Sequence, residues 1–475
     1  MKAGVIKDER TRKYLPWLGA LAIFMQALDA TILNTGLPSI AKSLGESPLG
    51  MQSVIVSYTL TVALLIPLSG WLADKFGTKN IFILAVGLFT LGSVFCSIAM
   101  TLDQLVLARI FQAIGGAMMV PVARLTLIYA YPKNQLLKVI NFITIPGLIG
   151  PMLGPAVGGF LVEKLSWHWI FLINVPVGII AVIFARKIIP NFTNTVGRFD
   201  LLGWVLFSGG LTTLTLVIEK WNSPGISSAQ LVTLFIVAVL MGVAYVFYAK
   251  MVKDPLIKVS LFKIMTLRLG LIGNLVTRFG IGGMPLMIPL LLQVGYGYSA
   301  MYAGLMMIPQ ALSNLVSRNF VVPIVRKFGY RSTLITNTIM TGLLISCFFF
   351  VTPHTPYWVI ILLMIGNGAF NAIQFTSMNT ISLADLDQET SSEGNSLLSV
   401  TQQLAVSLGI SLSSMVLMMF QNSTVATSGD SIAVFRYTFL VMGTITVLSS
   451  FVFTKLSKDA GASMSGSRVY SEDKK

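Results

Sequence analysis

Charge is scarce in this chain: Asp, Glu, Lys and Arg together make up 11% of its 475 residues, less than half of the roughly 25% usual in soluble domains. Histidine and cysteine are scarcer still. The two histidines, His168 and His354, and the two cysteines, Cys96 and Cys347, fall in opposite halves of the sequence. That leaves no cluster from which a metal centre or an activated nucleophile could be built, and a membrane enzyme is the least favoured class. It also argues against a structural disulfide. A GxxxxGK[ST] phosphate loop is missing, so a primary pump would need its ATPase on another subunit. No hydrophilic stretch is long enough for an aqueous domain; the longest are the N-terminal tail, residues 385–396 and the tail after Lys455. No cofactor is implied.

Apolar residues fill the space instead, at 55% of the chain. They form runs of about 20 residues, the length that crosses a hydrocarbon core, separated by short charged or Gly/Pro-containing breaks. Fourteen such spans are expected, the first near 15–40 and the last near 434–454. In lipid the backbone must satisfy its own polar groups, and unalternating runs of this length do so as helices rather than barrel strands. The fold class is therefore all-α and polytopic. The first run follows Lys7, Arg10, Arg12 and Lys13, is too long for a signal h-region and lacks a small-residue cleavage site, so it reads as an uncleaved span.

The basic residues orient the chain. With loops assigned alternately to two sides, the side of the N-terminus collects 25 of the 33 Lys and Arg, while the other holds only Lys42, Lys164, Lys220 and Arg436. By the positive-inside rule both termini are cytoplasmic. The net charge of +15 is thus spread over short loops facing anionic headgroups, which excludes a nucleic-acid partner.

Spans 1–6 and 9–14 make two blocks of six, with spans 7 and 8 between them. The expected boundaries are 1–190, 191–262 for the inserted pair, 263–455, and a cytoplasmic tail at 456–475. A repeat links the blocks: GWLADKFGTKN (Gly70 to Asn80) after span 2 has a degraded counterpart, VPIVRKFGYRS (Val322 to Ser332), after span 10, with Arg326 standing where Asp74 would be. Duplicated six-helix blocks point to a transporter that rocks about a substrate held between its halves.

Several motifs bear on chemistry. Asp29 sits mid-span in LDATILNTGLPSI, where an ionised carboxylate is costly unless it is paired or faces water. An acid that alternates there between protonated and ionised forms is what coupling to a proton gradient requires; the alternative is a neutral acid bonded to a neighbouring helix. Arg109, in LARIFQAIGGA of span 4, either holds a buried carboxylate, contacts an anionic substrate, or reaches the outer interface with Asp103 as partner. Gly147, Gly150, Gly154, Gly158 and Gly159, with Pro146, Pro151 and Pro155, bend span 5 and allow close helix approach. Asp74, with Lys75 and Lys79 and flanked by Gly70 and Gly77, is expected to form a cytoplasmic charge latch to a neighbouring helix end. Arg109, Arg124, Arg278 and Arg318 fall within spans against the single clearly intramembrane acid Asp29, which suits an anionic substrate. Asn34, Gln112, Arg278, Gln293 and Gln310 are candidate cavity residues, with the methionines and tyrosines of spans 9 and 10 beside them.

Taken together these segments resemble the major facilitator superfamily, and within it the fourteen-span drug:proton antiporters, the TCR/Tet group of EmrB- and QacA-like exporters. LDATILNTGLPSI is similar to LDxTIVNVALPxI, LARIFQAIGGA to RxxQGxGA, GLIGPMLGPAVGG (Gly147 to Gly159) to GxxxGPxxGG, and WHWIFLINVPVGI (Trp167 to Ile179) to WRWIFxINxPxG. The sequence departs from the group at Gln402, where relatives commonly carry arginine, and lacks a further acid in spans 9–11. The resemblance implies two six-helix bundles plus two inserted helices in a bacterial inner membrane. It implies export of small organic, drug-like compounds in exchange for protons, with Asp29 and Arg109 as the coupling pair, Gly150, Pro151, Gly154 and Pro155 as the span-5 bend, and Gly70, Asp74 and Gly77 as the gate. The partners are substrate, protons and lipid; an accessory export partner is left open. Rival expectations are an exporter of a small organic anion such as a carboxylate metabolite, and a non-transporting membrane sensor.

Overall fold

The computed structural model describes residues 9–221, 226–253, 255–387, 390–421, 423 and 431–461. The N-terminal tail ahead of Glu9, most of the expected tail at 456–475, and part of the turn joining spans 7 and 8 lie outside them. Among the described residues there is no strand. Thirteen helical stretches are long and apolar enough to cross a membrane, and one of them, Ala300–Phe350, is 51 residues long. That stretch breaks at Gly329 (φ 73°, ψ 163°); counted as spans 10 and 11, it brings the total to the fourteen expected.

Gly329 sits in the degraded repeat, and Gly77, its counterpart in GWLADKFGTKN, has φ 95° and ψ 138°. Both turns reverse between spans through a positive-φ residue, which only glycine adopts without strain. The repeat read from the sequence is therefore matched at the level of the backbone.

The chain folds into two compact units. One runs through Phe199 and takes in Gly297–Ile308; the other begins at Asp200, runs to Tyr296 and resumes at Pro309. This differs from the expected boundaries for two physical reasons. Residues 189–199 are not a linker to span 7 but an irregular strap hydrogen-bonded to the end of span 2 and the start of span 3. The inserted pair, Leu201–Lys220 and Ser228–Met251, is anchored within the second unit rather than standing apart. There Asp200 caps the first of these helices through Gly203 N (2.9 Å) and accepts from Tyr248 Oη (2.6 Å) at the end of the second and from Leu256 N (2.9 Å).

Within the first unit, small residues set the packing, because lipid gives apolar helices no reason to prefer each other over acyl chains. Span 5 (Lys133–Lys164) presents a row of glycines to span 1 (Glu9–Ile32). A Cβ at Gly147 would crowd Ile23, at Gly150 Ala27 and Leu28, at Gly154 Thr31 and Ile32, and at Gly158 Ile32 and Thr35. The row thus grips span 1 on both sides of Asp29. Thr35 adds a hydrogen bond to the Pro155 carbonyl (3.0 Å). Gly159 faces the other way: it and Gly304 receive each other's helices, meeting Ala300–Met301 and Pro155–Ala156 respectively. Spans 3 (Thr78–Ser97) and 4 (Leu102–Ala130) use the same device, with Gly92 against Gln112 and Gly115 against Ala85 and Phe89.

The span-5 glycines therefore act as a spacing element for span 1. Gly154→Leu is expected to push span 1 away and lower stability by about 1–3 kcal/mol or more through overpacking, read as a fall in the melting temperature of the detergent-solubilised protein. Leu153→Ala, on an exposed position of the same helix, should leave it nearly unchanged.

Candidate functional site

Asp29 and Arg109 meet. They come from spans 1 and 4, and both side chains are 1% exposed. Arg109 Nη1 lies 2.8 Å from Asp29 Oδ2. Of the readings open to Arg109, this is the first, a buried carboxylate partner; Asp103 is not its counter-ion. Helix geometry explains the placement, since Thr101 caps span 4 by accepting from Gln104 N (3.2 Å). Arg109 and Gln112 then follow two turns in, three residues apart on one face.

Gln112 completes the arrangement, and its expected role as a cavity residue needs correction. It is 0% exposed, and every polar capacity of its amide is committed. Nε2 donates to Asp29 Oδ1 (2.9 Å) and Ser93 Oγ (2.8 Å), while Oε1 accepts from Arg109 Nη1 (2.6 Å) and Cys96 Sγ (3.7 Å). Ser93 and Cys96 are again three apart on one face of span 3. The opposing demands of a carboxylate and a guanidinium fix which end of the amide points where.

Asn174, at the start of the span-6 helix Asn174–Ile188, donates a third hydrogen bond to the carboxylate, Nδ2 to Oδ1 at 3.2 Å. Sequence reasoning missed it as a site residue. Its signal was a lone carboxamide in the apolar run WHWIFLINVPVGI. Asp29 thus faces three donors, from Arg109, Gln112 and Asn174. The guanidinium is further held by the Val54 carbonyl (Nε to O, 3.4 Å) and lies over the Tyr58 ring, with Cζ 4.2 Å from its centroid. A buried ion pair of this kind is tolerated when further hydrogen bonds support both charges, and removing one partner strands the other at about 3–5 kcal/mol.

The gate motif lies at the far end of spans 2 (Gln52–Phe76) and 3. Asp74 Oδ1 accepts from Tyr129 Oη (2.8 Å) and Asn194 Nδ2 (2.9 Å), and Asn194 Nδ2 also reaches Tyr129 Oη (2.8 Å). These partners are neutral, whereas a charge latch was expected. Lys75 lies over the Trp71 ring, Nζ 4.4 Å from its centroid. The Lys79 backbone, rather than its ammonium, makes the motif's next contact, donating to Asn191 Oδ1 at 3.1 Å. Gly77 is needed twice over, for its positive φ and because Asn191 occupies the space of a Cβ. Gly70 has open space in that direction and no such requirement.

The other cavity candidates are divided between the units. Asn34 is buried in the first, 5% exposed. Arg278, Gln293 and Gln310 belong to the second, where Gln293 is half-buried in the turn Leu291–Gly295. Gln310 Nε2 donates to Asn367 Oδ1 (3.2 Å), leaving Gln310 Oε1 and Asn367 Nδ2 without partners among the described residues. Arg278 lies with Cζ 5.2 Å from the Phe375 ring centroid, and among the described residues its buried Nε has no partner and no carboxylate pairs with it. Met284, Met287, Met306 and Met307 are buried packing residues. Among the described residues no group of three or more His, Cys, Asp or Glu could hold a metal.

The Major Facilitator Superfamily profile matches residues 19–410 and 270–464. Among curated relatives, "Putative multidrug resistance protein MdtD" of Klebsiella pneumoniae is 45% identical over 447 residues, covering 94% of this chain and 95% of the relative. Its namesake in Salmonella paratyphi A is 46% identical, covering 95% and 96%. Among solved structures, a variant of the nucleoside transporter NupG superposes with TM-score 0.67 at 15% identity, over 93% of this chain and 99% of that one. A D-xylose–proton symporter does so with TM-score 0.65 at 14% identity, over 95% and 99%. At such identities the structures speak for the fold alone. The chain belongs to the major facilitator superfamily and is a multi-pass membrane transporter, not an enzyme.

Proposed function

We propose that this transporter exports small, drug-like organic compounds across the bacterial inner membrane in exchange for protons, with both termini cytoplasmic. The observation that carries the reading is the sealed ion pair of Asp29 and Arg109, together with the identity to the MdtD relatives.

The chemistry follows from the donors around Asp29. Ionised, the carboxylate accepts from all three of them. A proton arriving on Oδ2 removes the charge opposing Arg109 and introduces an O–H directed at another donor, so the carboxyl group must turn or the spans must part. Arg109 keeps the Gln112 carbonyl, the Val54 carbonyl and the Tyr58 face, so it need not leave with the carboxylate. Span 1 can therefore shift relative to span 4 when the proton binds, and the span-5 glycines that grip span 1 carry that shift into the rest of the unit. Coupling here needs only a charge that changes inside a packed helix pair.

An organic anion as cargo is a second reading, favoured by Arg278. A guanidinium with a buried, unpartnered Nε and no paired carboxylate among the described residues is an unbalanced charge, which an anionic group on the substrate would neutralise.

Asp29→Asn is expected to abolish substrate-driven proton release in proteoliposomes while the protein still folds; undiminished release would refute the coupling role. Gln112→Leu, which leaves the carboxylate a donor short and takes from Ser93 the amide donor it accepts, should lower the coupled rate by at least about tenfold, with Gln112→Glu failing to restore it. For the second reading, Arg278→Gln should suppress transport of an anionic fluorophore while sparing a cationic one; equal loss of both would exclude it.

A further inference from the structure

The strap that follows span 6, Ile189 to Phe199, is hydrogen-bonded to the gate motif along its length. Span 3 begins at Thr78 without a side-chain cap of its own, because its N-cap is Gly77. The strap supplies what is missing. Phe192 O accepts from Thr78 N (3.0 Å) and Asn191 Oδ1 from Lys79 N (3.1 Å), satisfying the first two orphan donors of the helix. In return Thr78 Oγ1 accepts from Phe192 N (3.2 Å). Farther along, Asn194 N donates to Asp74 O (2.8 Å), its side chain grips the Asp74 carboxylate, and Trp71 Nε1 donates to Gly197 O (2.9 Å). Thr78, beneath the strap, is 0% exposed, although much of the strap is open to solvent.

The second copy of the motif is less crowded at its glycine. A Cβ at Gly329 would approach only the Lys458 carbonyl, at 3.7 Å, so that glycine is required by its φ alone. The acid is also gone, replaced by Arg326. Asn191 fills the space beside Gly77, and Gly329 has no neighbour as near.

We propose that Asn194 is a positioning residue of the gate and that the strap is its releasable clasp: it caps span 3 and occupies Asp74 in one state of the transport cycle, and lifts to free Asp74 in another. The contact suits such a cycle. It consists of hydrogen bonds at a solvent-facing end, individually weak and cheap to exchange for water, around one charged acceptor that gains most from being held. This inference rests on the reading of the chain as a gated exporter only for the timing of release, because the clasp can be followed without substrate.

The test uses the full chain in membrane vesicles, with Thr78→Cys as a reporter under the strap and the parent protein as the blank for Cys96 and Cys347. A small maleimide should label the reporter slowly at rest and faster when a proton gradient is imposed. Adding Asn194→Ala should raise the resting rate by about tenfold or more, the factor expected for losing a hydrogen bond to a charged group, and remove the dependence on the gradient. Asn191→Ala provides the same readout should Asn194→Ala fail to reach the membrane, and Asn194→Gln, which keeps the carboxamide, should partly restore protection. Labelling that ignores the gradient, or that stays slow in both alanine variants, would overturn the proposal and leave the strap a static brace. Gradient-dependent labelling with no transport of any compound would instead remove the export reading and leave the clasp standing.

Discussion

Everything in the first unit is arranged around the cost of keeping Asp29 and Arg109 away from water. A carboxylate and a guanidinium, each 1% exposed, hold together in a low-dielectric interior only if almost every remaining donor and acceptor is occupied. Gln112 is the residue that makes this possible, because a carboxamide alone offers an acceptor to the cation and a donor to the anion from a single planar group. Ser93, Cys96, Asn174, Val54 and the Tyr58 ring complete the enclosure. The glycines at 92, 115, 150 and 154 exist, on this view, so that four helices can approach closely enough to close it.

That enclosure also explains how a small event can move large elements. Helices packed backbone to backbone through glycine cannot drift by fractions of an ångström; they hold one arrangement or step to another. In the proposed coupling, neutralising Asp29 is the event that changes which arrangement is favoured. At the other end of spans 2 and 3 the gate turn is built on a different principle. Its carboxylate meets neutral partners, Tyr129 and Asn194, near solvent, where contacts break at little cost. One end of the unit stores a charge and the other a clasp that can open.

Much of this was legible in the sequence, and what was not has identifiable causes. The spans, the duplicated turn and the placing of Asp29 and Arg109 inside spans follow from local features: run length, a glycine in a basic loop, charges where lipid should be. Their pairing does not, because the partners are 80 residues apart and nothing local says which faces meet. Gln112 was read as cavity-lining since a glutamine in a span has two common uses, and only the packed structure shows that both ends of its amide are spent. Asn174 was overlooked for a related reason, one carboxamide in a strongly apolar motif. The strap falls at the head of the segment expected for the inserted pair, 191–262; its order comes from hydrogen bonds to Trp71, Asp74, Thr78 and Lys79, all more than a hundred residues earlier.

The central claim is that Asp29 is the group that takes up the transported proton. Difference infrared spectroscopy of the full-length protein in lipid, between alkaline and acidic conditions, observes protonated carboxyl groups directly through their C=O stretch. The account predicts a buried-carboxyl band that grows on acidification, shifts in deuterium oxide, and is missing from Asp29→Asn. A band of the same intensity in Asp29→Asn would contradict it and place the transported proton elsewhere.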